Sequence, residues 1–128
     1  MDNYLTDSNI LIDCLRGQPD RIALLERLLA SGGTLGCSAI TIGELYAGMR
    51  SHEAKRTEEL VSQLLHYQVT SEIARHAGLL KNEWSRKGRT IALADTMIAA
   101  TAIAHKLTLV TANTKDFPMP ELKLYPRG

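Results

Sequence analysis

The sequence has few of the features that mark membrane, secreted or repetitive proteins. No apolar run approaches the ~20 residues that a membrane-spanning helix needs, so we expect no membrane partner. The first residues, MDNYLTDSN, lack a basic region followed by an apolar one, and they predict no signal peptide. No internal repeat, linker or low-complexity segment interrupts the chain. These absences favour a globular domain.

Cysteine and net charge are also low. The two cysteines, Cys14 and Cys37, lack the spacing of metal ligands, and they indicate reduced thiols in a cytoplasmic protein. The net charge of +1 predicts no strong overall attraction to nucleic acid or to an anionic membrane, although a local basic patch could still bind nucleic acid. The four histidines, His52, His66, His76 and His105, lack the mutual spacing of zinc ligands. They also lack a partner residue for nucleophilic catalysis.

The 128 residues most simply form one domain, residues 1–128. Short strand patterns are predicted at 3–6, 34–37, 67–69, 107–110 and 122–125. Helical spacing separates them, at 10–15, 20–29, 42–49, 60–65, 73–84 and 95–104. This alternation predicts an α/β fold in which a short-stranded parallel sheet lies between helices on both faces. In such sheets, the loops that leave the carboxyl ends of the strands form the functional crevice.

Four acids fall near that predicted crevice. Asp7 follows the first strand, Glu44 lies in the first turn after the second strand, and Asp116 lies in the loop after the fourth. Asp95 heads the apolar helix that leads into the fourth strand. It reaches the same edge only if that helix begins there, which right-handed crossovers allow.

Clustered carboxylates would suit a divalent cation. Magnesium and manganese take oxygen ligands, and a bound ion can present water for in-line attack on a phosphate. The neutral side chains of Asn9, Thr111 and Asn113 lie near the acids in the sequence and could orient carboxylates or water.

Each acid also has a purely local explanation. Asp7 can cap the helix that follows it, and Asp95 can cap the next apolar helix. Thr41 and Glu44 have the spacing of a capping box, and Asp116 can form an Asx turn. Residue patterns alone leave the local and the metal-binding interpretations open.

Three blocks of the chain resemble the signature blocks of PIN-domain ribonucleases, in the same order. They read YLTDSNILIDCL from residue 4, SAITIGELYAGMR from residue 38, and ALADTMIAATAIAHKLTLVTANTKDF from residue 92. The last block ends in the pattern T-x-N-x-x-D-F. The resemblance covers nearly the whole chain and is closest to VapC-type toxins of bacterial toxin–antitoxin pairs. Ser8 stands where the family usually has threonine, and it keeps the hydroxyl.

The resemblance implies a PIN-like three-layer α/β/α domain with Mg²⁺- or Mn²⁺-dependent endoribonuclease activity that uses a metal-activated water. It implies a toxin that inhibits translation and growth, a homodimer held by helices, and a VapB-type antitoxin whose tail enters the acidic groove. The implied metal-binding and catalytic residues are Asp7, Glu44, Asp95 and Asp116. The implied supporting polar residues are Asn9, Thr111 and Asn113.

A basic segment before Asp95 has two interpretations. Arg86, Lys87 and Arg89 could hold RNA phosphates beside the metal. The residue pattern favours the simpler interpretation, a solvated helix end at which the helix dipole stabilises cations.

Three other functions compete. Another metal-dependent phosphate hydrolase, such as a DNA nuclease or a phosphatase, would use the same acids. A receiver-like signalling domain would need an acceptor aspartate at the end of the third strand, and residues 67–70, YQVT, offer none. A non-catalytic binding module would not need the full set of four acids.

Overall fold

The computed structural model describes residues 2–126. Within these residues the strands are β1 (Tyr4–Thr6), β2 (Leu35–Ser38), β3 (Leu65–Tyr67), β4 (Thr108–Val110) and β5 (Lys123–Tyr125). The α-helices are α1 (Ser8–Leu15), α2 (Pro19–Ala30), α3 (Ala39–Gly48), α4 (Ala54–Ser62), α5 (Ser71–Arg86) and α6 (Leu93–Ala104). Short 3-10 helices cover Ser51–Glu53 and Thr114–Asp116.

The strands form one parallel sheet in the order β3-β2-β1-β4-β5. The central strand, β1, pairs with β2 on one side and β4 on the other, so that Tyr4 lies opposite both Leu35 and Thr108. All five carboxyl ends therefore lie at the same edge of the sheet. The predicted parallel α/β fold is confirmed.

Helices cover both faces of this sheet. Successive residues of a strand point to opposite faces, and the core follows that alternation. Leu5 and Leu109 pack with the apolar sides of α5 and α6, whereas Tyr4 and Val110 pack with α1, α2 and α4. The two buried clusters make the expected three-layer α/β/α architecture.

The third strand begins earlier than the sequence predicts. β3 covers Leu65–Tyr67, whereas the pattern indicates 67–69, and α4 ends at Ser62 instead of continuing to 65. Leu65 is half exposed because β3 is the edge strand of the sheet. An edge strand with one exposed side carries a weak hydrophobic pattern, so the sequence specifies its register poorly.

Two predicted helix caps are wrong. Ser38, not Thr41, caps α3, because its hydroxyl accepts hydrogen bonds from the backbone amides of Ile40 and Thr41. The Thr41–Glu44 capping box is therefore absent. Asp95 is the third residue of α6, whose N-cap position is Ala92. Each acid therefore lies inside its helix and is available for another role.

No helix within residues 2–126 combines the length and the apolar character that crossing a membrane requires.

Candidate active site

Asp7 lies at the centre of the sheet edge, directly after β1. Its backbone amide donates to the Val110 carbonyl, which extends the pairing of β1 with β4 by one residue. Its carboxylate caps α1 by accepting a hydrogen bond of 2.8 Å from the Ser8 amide, as the sequence predicts. The side chain is only 5% exposed. Asp7 is thus fixed by the junction of a central strand and a helix.

Two of the predicted supporting residues hold the second oxygen of this carboxylate. The Thr111 hydroxyl donates to Asp7 Oδ2 at 2.8 Å, and the Asn9 amide group donates to the same oxygen at 3.4 Å. Asn9 Oδ1 in turn accepts from the Ala112 backbone amide at 3.2 Å. This network joins the residues after β1 to those after β4, and it orients Asp7.

Asn113 is placed differently. Its backbone amide donates to the Thr111 hydroxyl at 3.1 Å, so it supports the network through the main chain. Within the described part of the chain, its side chain makes no hydrogen bond to any of the four acids.

Asp95 is close enough to the other three acids to respond to their charge. The pKa of Asp95 is raised from 3.8 to about 6, chiefly by partial burial and then by the charges of Asp7, Asp116 and Glu44, in that order. Asp95 also lines one hollow together with Asp116, which follows β4, so α6 does begin at the edge where the strands end. The structure brings all four predicted acids to one edge.

Glu44 lies on the exposed side of this group. It is on the first turns of α3, and its residue is largely open to solvent. Burial of part of the carboxylate raises its pKa, the charge of Asp7 raises it further, and the Ser8 side chain partly offsets both effects. Glu44 is therefore close enough to Asp7 to interact with its charge, and it remains accessible to solvent.

Asp116 is the last residue of the 3-10 helix Thr114–Asp116, and its backbone amide donates to the Asn113 carbonyl. With Asp95 it borders a hollow of about 250 Å³. We call this the acidic hollow; its lining residues are Arg89, Thr90, Ile91, Ala92, Asp95 and Asp116.

The three basic residues before α6 have three different environments. Arg89 borders the acidic hollow, and Arg86 borders a neighbouring hollow on α5. Lys87 is engaged elsewhere, because its ammonium lies 3.6 Å from Glu83 and 4.4 Å from the centre of the Trp84 ring. Of the three, Arg89 lies nearest to the acids.

The donor set fits a magnesium or manganese ion, although the acids do not form a closed cage. No three Asp, Glu, His or Cys side chains within residues 2–126 converge tightly enough to coordinate one ion. Mg²⁺ commonly takes only one or two carboxylates and completes its shell with water and phosphate. Burial and the charges of the other three carboxylates both raise the pKa of Asp95, and a bound cation would offset both effects.

Sequence patterns miss the residues that line the acidic hollow between α5 and α6. Thr90, Ile91 and Ala92 form an extended segment with no catalytic motif, and Ile91 is buried. The only local signal is Gly88, which ends α5 with φ of +84° and so forces a new chain direction just before this segment.

Comparison with known proteins identifies close relatives. The sequence model of the PIN domain matches residues 4–119. The chain is similar to Ribonuclease VapC19 of Mycobacterium tuberculosis, with 38% identity over 120 residues that cover 93% of this chain and 96% of the relative.

Solved structures with the same fold come from toxin–antitoxin complexes. The chain superposes on one from VapBC2 of Rickettsia felis, solved bound to a promoter DNA fragment, with a TM-score of 0.83 and 30% identity, covering 94% of this chain and 96% of that one. It also superposes on one from a toxin–antitoxin complex of Klebsiella pneumoniae, with a TM-score of 0.79 and 33% identity, covering 94% and 95%.

Proposed function

This chain belongs to the PIN-domain family, and we propose that it acts as an endoribonuclease, the toxin of a VapBC-type toxin–antitoxin pair that restrains translation and growth. The observation that carries this proposal is the meeting of Asp7, Glu44, Asp95 and Asp116 at one sheet edge. The ribonuclease relatives and the toxin–antitoxin complexes support the choice of RNA as substrate. Both free thiols, Cys14 and Cys37, fit a protein of the cytoplasm.

We propose that the four acids share one or two divalent cations, Mg²⁺ or Mn²⁺. When bound, such an ion would neutralise charge on the scissile phosphate and make a water molecule more acidic. Asp7 would be the best-fixed ligand, because Ser8, Asn9 and Thr111 together hold both of its oxygens. Asp95 and Glu44, with raised pKa values, would bind the ion or accept a proton from the attacking water.

Arg89 has a complementary role in this proposal. It is the cation that borders the acidic hollow together with Asp95 and Asp116. A guanidinium there can bind a phosphate oxygen and hold the RNA backbone against the site.

Purified protein tests the proposed activity directly. We expect it to cleave single-stranded RNA with Mg²⁺ or Mn²⁺ and to stop when a chelator removes the metal. Asp7→Asn and Asp95→Asn should each reduce the cleavage rate at least ~100-fold while the circular dichroism spectrum stays folded. Asp20→Asn, an exposed acid on α2, is the matched control and should cleave normally. Full activity in both active-site variants would refute the site, and a preference for DNA or phosphomonoesters would refute the substrate.

We propose a separate surface for the antitoxin contact. An apolar hollow of about 290 Å³ lies between α1, α2 and α4, and Leu29, on its rim, is 55% exposed. We propose that an apolar segment of a VapB-type antitoxin packs here while its tail reaches the acids. We call this hollow the apolar groove; it is lined by Cys14, Ile22, Leu25, Glu26, Leu29, Leu35, Leu60, Gln63 and Leu64.

We also propose that the chain forms a homodimer through α3 and α5. Tyr46 on α3 and Leu79 on α5 are 40% and 62% exposed, and both lie outside the apolar groove. Light scattering should give twice the 14.1 kDa chain mass, and a monomer at micromolar concentration would contradict this proposal.

A further inference from the structure

A second hollow adjoins the acidic hollow. It has a volume of about 500 Å³ and opens along one side of α5. Thr90 lines both hollows, so the two meet at this exposed residue. We call the second one the α5 hollow; its lining residues are Gly78, Lys81, Asn82, Ser85, Arg86 and Thr90.

The α5 hollow is lined by two basic residues and no acid, whereas two acids, Asp95 and Asp116, line its neighbour. Its five helical residues have the spacing i, i+3, i+4, i+7 and i+8, so they form one continuous stripe on α5. Two of them are cations, Lys81 and Arg86, and none is an acid. Neither cation joins an ion pair anywhere in residues 2–126. Their charge is therefore available to an anionic ligand.

A hydrogen bond from Lys81 links the α5 hollow to the acidic hollow. Its ammonium donates to the Ile91 carbonyl at 2.5 Å, and Ile91 is a buried residue that also lines the acidic hollow. The contact fixes α5 to the segment before α6, and it places a positive charge next to Thr90. A ligand that leaves the acids across Thr90 meets this charge first.

We propose that the α5 hollow binds the sugar–phosphate backbone of the RNA on one side of the scissile bond. This inference rests on the proposed ribonuclease function and extends it. The four acids repel an RNA strand, so a basic surface beside them offsets that repulsion and fixes the direction of the strand. Lys81 and Arg86 bind phosphates, and the Asn82 and Ser85 side chains bind phosphate or ribose oxygens. These contacts act on all RNA sequences alike.

Two variants test this binding role. Arg86→Gln should raise the KM for a mixed-sequence, single-stranded RNA about fivefold and leave kcat nearly unchanged, the size expected for one solvent-exposed charge contact. A plot of log KM against log salt concentration should lose about 0.7 of its slope, as one phosphate contact is removed. Arg75→Gln, the same change on α5 outside the hollow, is the matched control and should behave as wild type.

A second variant, Gly78→Glu, tests whether a change in KM comes from lost RNA binding and not from misfolding. A Cβ at position 78 meets no atom within 4 Å, and glutamate favours a helix more than glycine does. The variant should fold at least as well as wild type, yet its new carboxylate should raise the KM in the same way as Arg86→Gln. Unchanged KM and salt slope in both variants would overturn the proposal. So would a change in oligomeric mass without a change in KM, because the hollow would then be a protein contact.

A failure of the proposed ribonuclease activity can be distinguished from a failure of RNA binding at the α5 hollow. If the wild-type protein cleaves no RNA, fluorescence anisotropy with the same labelled RNA in magnesium buffer replaces the KM. Weaker binding by Arg86→Gln and Gly78→Glu, but not by Arg75→Gln, would support the α5 hollow as an RNA site even then. Equal binding by all four proteins would overturn it.

Discussion

At the scale of single residues, the candidate site depends on how differently its acids are held. Asp7 is buried and receives hydrogen bonds from Ser8, Asn9 and Thr111. Asp95 is partly buried, and this burial, together with the charges of the nearby carboxylates, raises its pKa to about 6. The side chain of Asp7 is therefore held in one position by its hydrogen bonds, while Asp95 can exchange a proton near neutral pH.

The raised pKa of Asp95 predicts how stability depends on pH when no metal is present. The folded protein holds this proton up to about pH 6, whereas the unfolded chain loses it near 3.8, so protonation favours the folded state. Stability from this group is fully present below the lower value and is lost as pH rises through about 6. Asp95→Asn should remove this loss and give a higher melting temperature than wild type at neutral pH.

Thermal melts in chelating buffer at a series of pH values measure this effect. Asp20→Asn, an exposed acid in the first turn of α2, should keep the wild-type pH dependence. If Asp95→Asn and wild type show parallel pH profiles, the carboxylates do not interact in the way described. With added Mg²⁺, wild type should have a higher melting temperature than Asp95→Asn, because only wild type retains the full set of acids that bind the ion.

Sequence patterns predict where the acids lie in the fold better than they predict the local geometry of the helix caps. Asp7, Glu44 and Asp116 follow strands, so their shared edge is predictable, whereas Asp95 joins them only because α6 begins at that edge. The caps are not predictable in the same way. Ser38 and Thr41 both carry hydroxyls near the start of α3, and only the pairing of β2 decides that Ser38 is the last strand residue.

At the scale of elements, α5 and α6 end in the same manner but with different residues. Both helices close with the paired hydrogen bonds of a Schellman motif, followed by a residue with positive φ. In α5 that residue is Gly88, at +84°, where the missing Cβ makes the conformation easy. In α6 it is Lys106, at +54°, where a side chain must be accommodated.

Lys106→Gly should therefore stabilise the protein. Removing the Cβ relieves a left-handed conformation, and after the greater freedom of glycine in the unfolded chain is subtracted, we expect a gain of about 0.5–1 kcal/mol. Chemical denaturation measures the change. Lys106→Ala keeps the Cβ and should give no such gain. RNA cleavage should stay at the wild-type rate, because Lys106 lies at the end of α6 remote from Asp95.

The position of β3 shows what a sequence leaves undetermined at this scale. Leu64 and Leu65 fit the end of a helix and the start of a strand equally well. The structure decides in favour of the strand through the pairing of Gly36 with Leu65 and Ser38 with Tyr67. A Cβ on Gly36 would approach the Tyr67 ring to 2.5 Å, so this pairing depends on a contact between segments far apart in the sequence.

At the scale of the whole molecule, the three surfaces to which we assign functions occupy different parts of the fold. The acids lie at the sheet edge, the α5 hollow adjoins them, and the apolar groove lies among α1, α2 and α4. We propose that residues 1–128 fold as one unit. An antitoxin bound at the apolar groove would also block the acids, because its tail reaches them. Sequence spacing predicts the acids, but it does not predict either hollow, because both arise from packing.

Separation of these surfaces predicts a variant that escapes its antitoxin. Leu29→Glu places a charge on the exposed rim of the apolar groove and should weaken binding of a VapB-type antitoxin more than about tenfold. RNA cleavage by the free protein should not change. Ala23→Glu, also exposed on α2 but outside the groove, is the matched control. Calorimetry with an antitoxin that binds wild type measures both affinities.

Protection of Cys14 from chemical modification gives a second test of the antitoxin contact at the apolar groove. Cys14 lines the groove and is partly accessible, whereas Cys37 is fully buried. Maleimide should modify Cys14 in the free protein and modify it more slowly in the complex. Equal antitoxin affinity for wild type and Leu29→Glu, with Cys14 unprotected, would place the antitoxin elsewhere.

The central claim is that the acids at the sheet edge bind a divalent cation, and its most direct test is anomalous X-ray scattering from crystals soaked in Mn²⁺. We predict a strong manganese peak at the sheet edge, within coordination distance, roughly 2.0–2.4 Å, of carboxylate oxygens that include those of Asp7 or Asp95. The peak should disappear in crystals of Asp95→Asn soaked in the same way. No peak at these acids, in crystals of a protein that still cleaves RNA with Mn²⁺, would contradict the account.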